Sequence, residues 1–194
     1  MRFSIVNHDK IKRVFCLLMI PLLILVLSCS HNLYAETSED RRAWVGIDLF
    51  PSLLAADKDI TEKKGDHGYL ILGLVYSDRK ALAEEIGRYM EKVGYIRGIP
   101  IKVEIIRTSS LEKATALAGI FLCEPVTNGL DQIINYVKKE HIIIFSPFWG
   151  DVERGVSGGM LISDKITPYL NLKSIKQSKI QIKPFFLRIA KKYE

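Results

Sequence analysis

Several apolar runs of this sequence end in small polar or acidic residues that could do chemistry together. Ser77 and Asp78 follow YLILGLVY, Thr108 and Ser109 follow the Ile99–Ile106 stretch, Glu124 follows GIFLC, and Ser146 follows IIIF. Hydroxyls and carboxylates gathered around one crevice suit a small polar ligand, and Ser77, Asp78, Ser109, Glu124 and Ser146 are the candidate ligand-binding set. Ser77, Ser109 and Thr127 also stand where helix caps belong, so capping and ligand binding are both open there. A second group sits in the loop from Ser146 to Ser157: Trp149, Asp151, Glu153 and Arg154. Two carboxylates in one loop could serve as general acid and base. They could equally face solvent or a protein partner, with Arg154 neutralising the pair, and the partner-facing assignment is preferred. A buried aromatic anchor often dominates an interface, which makes Trp149 the candidate anchor.

Other chemistries find little support. His67 and His141 have no second metal-type ligand at a useful spacing, so no metal site is expected. Gly155-Val156-Ser157-Gly158-Gly159 places a serine among glycines, but it precedes a strand. It therefore lacks the strand-to-helix turn of a nucleophile elbow. No phosphate loop with Gly-Lys-Ser occurs. The expectation is a binding or regulatory module without a cofactor, not an enzyme.

The elements that must position these residues follow from periodicity. Tyr69–Tyr76 is continuously apolar, which suits a strand buried on both faces of a parallel sheet. The spacing of Leu82, Ile86, Tyr89, Met90 and Val93 predicts a helix, capped by Ser77 and ended by Gly94 and Gly98. Ile99–Ile106 alternates and reads as a strand nearer an edge. Ser109 with Glu112 reads as a capping box opening a short helix. Gly119–Leu122 is a strand. Thr127 or Asn128 caps a helix whose Leu130, Ile133, Ile134 and Val137 point inward. Ile142–Phe145 is the fourth buried strand. Beyond it, Gly158-Gly159 leads into an edge strand over 160–162, with Pro168–Leu172 as its return partner. Ser174–Lys179 and Phe185–Tyr193 read as helices, with Pro184 in the first turn of the last. Upstream, Glu36–Arg42 reads as loose, Ala43–Ala56 as a short strand or helix with a turn, and Asp57–Gly68 as an exposed loop. Alternation of strand and helix predicts an α/β fold: an open, mostly parallel sheet with helices on both faces and an antiparallel edge near the carboxyl terminus.

The amino terminus reads as an export signal. Arg2, Lys10, Lys12 and Arg13 precede an apolar run from Val14 to Leu27, too short for a comfortable membrane span. Cleavage after Ala35 leaves about 159 of the 194 residues, a size that fits one domain. Lipid attachment at Cys29 within Leu27-Ser28-Cys29, or an uncleaved anchor, are the alternatives. The formal charge of +6 falls to about +3 once the leader is removed. That balance, with export, points away from nucleic acid. Of the three cysteines only Cys123 lies beyond the leader, so the mature chain has no internal disulfide. Its apolar neighbours make Cys123 a buried, inert thiol. The organisation expected is an export signal over 1–35, an extension and charged loop over 36–68, and an α/β domain over 69–194. The basic carboxyl-terminal stretch reads as a solvated face over a buried stripe, with an anionic membrane surface as the alternative.

The segment GGMLISDKITPYLNLKSIKQSKIQIKPFFLRIA resembles the carboxyl-terminal signature of YfiR-like periplasmic proteins. Gly158 and Gly159 start one strand, Asn171 and Leu172 end the next, and Leu187 and Ala190 close the chain in a Leu-x-x-Ala pattern. Gly98-Ile99-Pro100-Ile101 matches a strand start upstream, and the similarity runs from Tyr69 to Ala190. The resemblance implies a periplasmic α/β protein, able to form a homodimer. It implies a partner too: the periplasmic domain of an inner-membrane signalling protein, such as a membrane-bound diguanylate cyclase held in check. This chain lacks the paired cysteines of that regulator, and its Asp151-Glu153-Arg154 loop is its own. The alternatives are a small solute-binding protein of a transport system, resembling half of a type I periplasmic binding protein, and a hydrolase using Asp151 and Glu153.

Overall fold

The computed structural model describes residues 37–66 and 68–194. The segment 1–35 read as an export signal, with Cys16, Cys29 and Ala35, lies outside the described residues, as does His67. The described chain begins with a helix where a loose segment was expected. Helix α1 spans Ser38–Ala56. Thr37 opens it with a reciprocal box: its hydroxyl accepts from the Asp40 amide at 3.2 Å, and Asp40 accepts from the Thr37 amide at 3.2 Å. Two amides at the helix start are thereby satisfied, which the charge density of 36–42 concealed. Ala43, Ile47, Phe50 and Leu54 then recur at helical spacing and are fully buried. Pro51 sits inside this helix, where it removes one backbone hydrogen bond. The packing of Phe50, Leu53 and Leu54 holds the helix through it. The segment after α1 is only partly the exposed loop expected. Ile60, in the 3-10 turn Ile60–Lys64, is completely buried, and buried Asp57 pairs with Lys63 at 2.6 Å.

The remaining elements follow as β1 (Leu70–Tyr76), α2 (Lys80–Val93), β2 (Tyr95–Ile96), β3 (Ile99–Arg107), β4 (Leu117–Leu122), α3 (Leu130–Glu140), β5 (Ile143–Ser146), β6 (Gly158–Ile162), β7 (Ile166–Asn171), α4 (Leu172–Gln177), α5 (Pro184–Ile189) and β8 (Lys191–Tyr193). One sheet orders them β2-β3-β1-β4-β5-β6-β7-β8. Pairing is parallel from β3 through β6, antiparallel for β6–β7, and parallel again for β7–β8. The expected α/β class is the observed one. At the opposite edge β2 and β3 form a two-residue hairpin, with Arg97 and Gly98 both at positive φ as a tight primed turn requires.

Right-handed crossovers that leave β1 and β4 in opposite directions put α2 and α3 on opposite faces. Helix α1 shares the face of α2. Its Phe50 ring lies 5.7 Å from Phe121 and 6.1 Å from Phe145, and those two rings stack at 5.8 Å. Trp44 of α1 meets Tyr89 of α2 edge-on at 5.7 Å. The buried α2 stripe is Leu82, Ala83, Ile86 and Met90, whereas Tyr89 and Val93 are about 40% exposed, at 40% and 42%. Tyr89 instead donates its hydroxyl to Asp48 at 2.7 Å.

Four local expectations are corrected. Residues 160–162 belong to β6, which is interior, because β7 pairs on its free side. Phe185–Tyr193 is not one helix: α5 stops at Ile189, and the chain straightens to pair β8 with the open edge of β7. The Ser109–Glu112 box forms only a 3-10 turn over Thr108–Lys113 without a side-chain cap. Neither Ser77 nor Thr127 nor Asn128 caps a helix: the caps are Arg79 and Gly129.

The two ends of the described chain are sewn together. The Lys58 amide donates to Gln181 carbonyl and the Lys183 amide to Ala56 carbonyl, both at 2.9 Å, around an antiparallel bridge of Asp57 with Ile182. The Lys183 ammonium adds a bond to Ala55 carbonyl at 3.0 Å.

Candidate functional site

In open α/β sheets ligands bind beyond the carboxyl ends of the strands where the strand order reverses. Here that point lies between β1 and β4, since β1 is flanked by β3 on one side and β4 on the other. The loop after β1 exposes three successive backbone amides, those of Ser77, Asp78 and Arg79. All three point at one oxygen, Oε1 of Glu124, from the end of β4: Asp78 at 2.7 Å, Arg79 at 3.2 Å, and Ser77 in closer contact still. Converging amides of this kind form an anion-binding concavity. The concavity is filled by the protein's own carboxylate, and Glu124 is 6% exposed.

The same loop is held from two further sides. The Arg79 guanidinium forms a two-pronged pair with Asp40 of α1, Nη2 to Oδ2 at 2.8 Å and Nη1 to Oδ1 beside it. That pairing holds the Asp40 carboxyl down to about 2. The Ser77 hydroxyl lies 3.1 Å from that of Thr108, which donates to Tyr76 carbonyl at 3.0 Å. Asp78 projects to solvent. Of the candidate ligand set, then, Ser77 and Glu124 are joined at the switch point, and Asp78 contributes its backbone. Ser109 is exposed and lines a neighbouring cavity of about 300 Å³ with Thr108, Glu112, Gln132 and Tyr136. That cavity lies between the 3-10 turn after β3 and helix α3. Ser146 is fully buried one strand further along and serves another network.

That network builds the loop after β5. The Ser146 hydroxyl donates to Asp151 at 2.6 Å and accepts from the Phe148 amide at 3.2 Å. Arg154 reaches the other Asp151 oxygen at 3.3 Å. Asn171 donates to Val152 carbonyl at 2.7 Å, and Ser174 to Gly155 carbonyl at 2.6 Å. The partner-facing assignment of Asp151 is therefore corrected: at 4% exposure it faces inward, because the loop needs an internal acceptor for Ser146. Burial pushes its carboxyl above the usual range, against the opposing pull of Ser146 and Arg154. Glu153 and Arg154 are on the surface. Trp149 is 67% exposed, with the Arg42 guanidinium 4.9 Å from its ring centre. Arg42 in turn donates to Pro147 carbonyl at 2.8 Å, so α1 braces the loop beneath the indole. The loop thus presents one large aromatic on a fixed base.

Sequence reasoning did not anticipate the Glu124 plug, the Asp40–Arg79 pair or the Arg42 brace. The available signal for the first was an acid directly after an unbroken buried strand. Such an acid must find donors nearby if it stays inside. Cys123 is buried as expected, and burial raises its thiol far above the usual range. Among the described residues no cluster of His, Cys, Asp and Glu could hold a metal ion. No described helix is long and apolar enough to cross a membrane.

No protein-family profile and no curated protein matches the sequence. Solved structures do share the fold. The ABC domain from Streptococcus pneumonia in complex with L-Trp superposes with a TM-score of 0.52 at 15% identity, over 78% of this chain and 60% of that one. A conserved domain protein from Vibrio cholerae O1 biovar eltor superposes at 0.54 and 15% identity, over 79% of this chain and 60% of that one. The chain thus spans about 60% of the length of either neighbour.

Proposed function

We propose that this chain is an exported periplasmic module that binds the outer domain of an inner-membrane signalling protein and restrains it, as its resemblance to YfiR-like proteins implies. The observation that carries this is the contrast between the two candidate sites. The switch-point crevice, where a small ligand would sit, is stoppered by Glu124. Trp149 stands out on a loop whose base is tied by Ser146, Asp151, Asn171 and Arg42. A rigid aromatic on a braced loop suits an anchor for a protein surface, since little entropy is lost when it docks. Glu153 and Arg154 supply charges at its rim, where they tune specificity and on-rate more than affinity.

The test is capture from a membrane extract with the tagged chain, followed by mass spectrometric identification. An inner-membrane protein with a periplasmic domain is expected. Trp149→Ala is expected to weaken its capture by about 2 kcal/mol or more. Equal recovery by wild type and variant removes Trp149 as the anchor, and recovery of no membrane protein defeats the proposal.

A small solute-binding protein is the second reading. The solved neighbour with L-Trp bound favours it, together with the cavity bounded by Ser109, Glu112, Gln132 and Tyr136. It predicts that an amino acid, sugar or anion raises the melting temperature, and that Gln132→Ala abolishes the rise while Trp149→Ala does not.

A further inference from the structure

We propose that the carboxyl-terminal surface built from α4, α5 and β8 docks on an anionic phospholipid bilayer. From Lys165 to the end, the chain carries eight Lys and Arg residues against one acid, Glu194. Lys173, Lys176, Lys179, Arg188, Lys191 and Lys192 are all exposed. The ion pairs among the described residues engage Lys63, Arg79, Lys80 and Arg154, and none of these six. The elements that carry these cations adjoin, because α4 packs against β8 and α5 leads into β8 through Ala190.

Large apolar side chains are exposed on the same elements. Phe185 is 48% exposed and Ile189 58%, four residues apart on α5, while Phe186 on its other side is buried. Tyr193 on β8 adds a ring that is 37% exposed. Apolar residues projecting between cations are what an interfacial membrane site requires: hydrocarbon reaches the acyl boundary, and the cations meet headgroup phosphates.

The chemistry of the cations selects a bilayer over an acidic protein. Five of the six are lysines, compact charges on flexible stems that suit a diffuse negative surface. Recognition of fixed carboxylates on a protein favours the planar fork of arginine, found here only at Arg188. Phe185 and Ile189 also project outward from α5, where they are exposed. None of these exposed residues belongs to the Trp149 loop, which α4 braces from within through Ser174 and Gly155 carbonyl at 2.6 Å.

Vesicle co-sedimentation of the full chain tests the proposal, with phosphatidylcholine vesicles compared with mixed phosphatidylcholine–phosphatidylglycerol vesicles. Residues 1–35 are common to every variant, so the comparison is between variants on the same vesicles. Wild type is expected to prefer the anionic vesicles and to lose that preference as salt rises. Lys176→Gln/Arg188→Gln/Lys191→Gln is expected to bind anionic vesicles on the order of a hundredfold more weakly, with binding to neutral vesicles unchanged. Phe185→Ser/Ile189→Ser is expected to lose about tenfold on anionic vesicles. Far-ultraviolet circular dichroism checks folding. Should either variant misfold, Lys173→Gln/Lys179→Gln, on the same surface, is expected to lose about tenfold.

Variants that bind anionic vesicles as wild type does overturn the proposal. So does a dimer in light scattering that the same substitutions dissociate, since the surface would then belong to a second copy. Capture of a membrane protein without any vesicle preference overturns this inference and leaves the proposed function standing. Vesicle preference without capture does the reverse.

Discussion

Glu124 gives three backbone amides a single acceptor, so the cost of losing it differs sharply between two substitutions. Glu124→Ala leaves the amides of Ser77, Asp78 and Arg79 without the buried side-chain acceptor that fills their concavity. A loss of about 3 kcal/mol in urea denaturation is expected. Glu124→Gln keeps a carbonyl oxygen in place and is expected to cost roughly half as much, since only the charge assistance is lost. Similar losses from both would mean that the carboxylate does not organise the loop. Its neighbour Cys123 yields a chemical prediction. Burial raises the thiol and hides it, so iodoacetamide is expected to leave the Cys123 peptide unmodified in native protein and to label it fully in denaturant. Native labelling at a free-thiol rate would contradict the position of β4 in the core.

At the level of elements, the Gly158-Gly159 pair that starts β6 does two different jobs. A Cβ at Gly158 would fall 2.4 Å from the tip of Leu53, a flexible methyl of α1. A Cβ at Gly159 would fall 2.6 Å from Ser146 carbonyl oxygen and 2.7 Å from Val152. The first contact can relax by rotation, whereas the second opposes the backbone to which β6 is paired. Gly159→Ala is therefore expected to destabilise by about 3 kcal/mol, and Gly158→Ala by about 1 kcal/mol, measured by thermal melts. The reverse order would place the tight approach elsewhere. These glycines were legible as a strand start but not as a packing requirement, because only the fold brings α1 and the Val152 loop against them. The same division holds more widely. Continuous apolar runs revealed β1, β4 and β5, and spacing of three and four revealed the inner face of α3 and, on α2, Leu82, Ile86 and Met90 but not the exposed Tyr89 and Val93. Helix α1 stayed hidden because its charged first turn masks a Thr37–Asp40 box, and because Pro51 interrupts its pattern. Strand β8 was read as helix because its pairing depends on the free edge of β7, which no local pattern encodes. At the site, Ser77 and Glu124 were legible as residues of the crevice. That Glu124 fills the crevice was not, since its donors lie more than forty positions away along the chain, as the 46-residue separation from Asp78 shows.

For the whole molecule, the Asp40–Arg79 pair ties the first described helix to the switch-point loop, and it sets an acid limit. The Asp40 carboxyl is held at about 2, below the usual 3.8. A depressed carboxyl favours the folded state when ionised. Its contribution, about 2 kcal/mol, is complete above pH 4 and disappears as pH falls from about 4 to about 2. Asp40→Asn is expected to lower the melting temperature at neutral pH and to converge with wild type near pH 2. A gap that persists into strong acid would mean that packing, not the ion pair, is responsible. Asp151 works in the opposite sense, because its raised carboxyl favours folding when protonated. The acid decline is therefore expected to be shallower in wild type than in Asp151→Asn. The stitch between Ala56–Lys58 and Gln181–Lys183 carries a temporal consequence. Helix α1 precedes every described strand along the chain, yet it rests on β4, β5 and β6, and its trailing end is tied to a segment as far as 128 positions away, at Lys183 and Ala55. During synthesis this helix cannot settle until those strands have emerged, and its ties to Gln181–Lys183 wait until that segment has emerged as well. Contacts so far apart along the chain form slowly. The opening helix is therefore locked late, only after the segment carrying Gln181–Lys183 has been made.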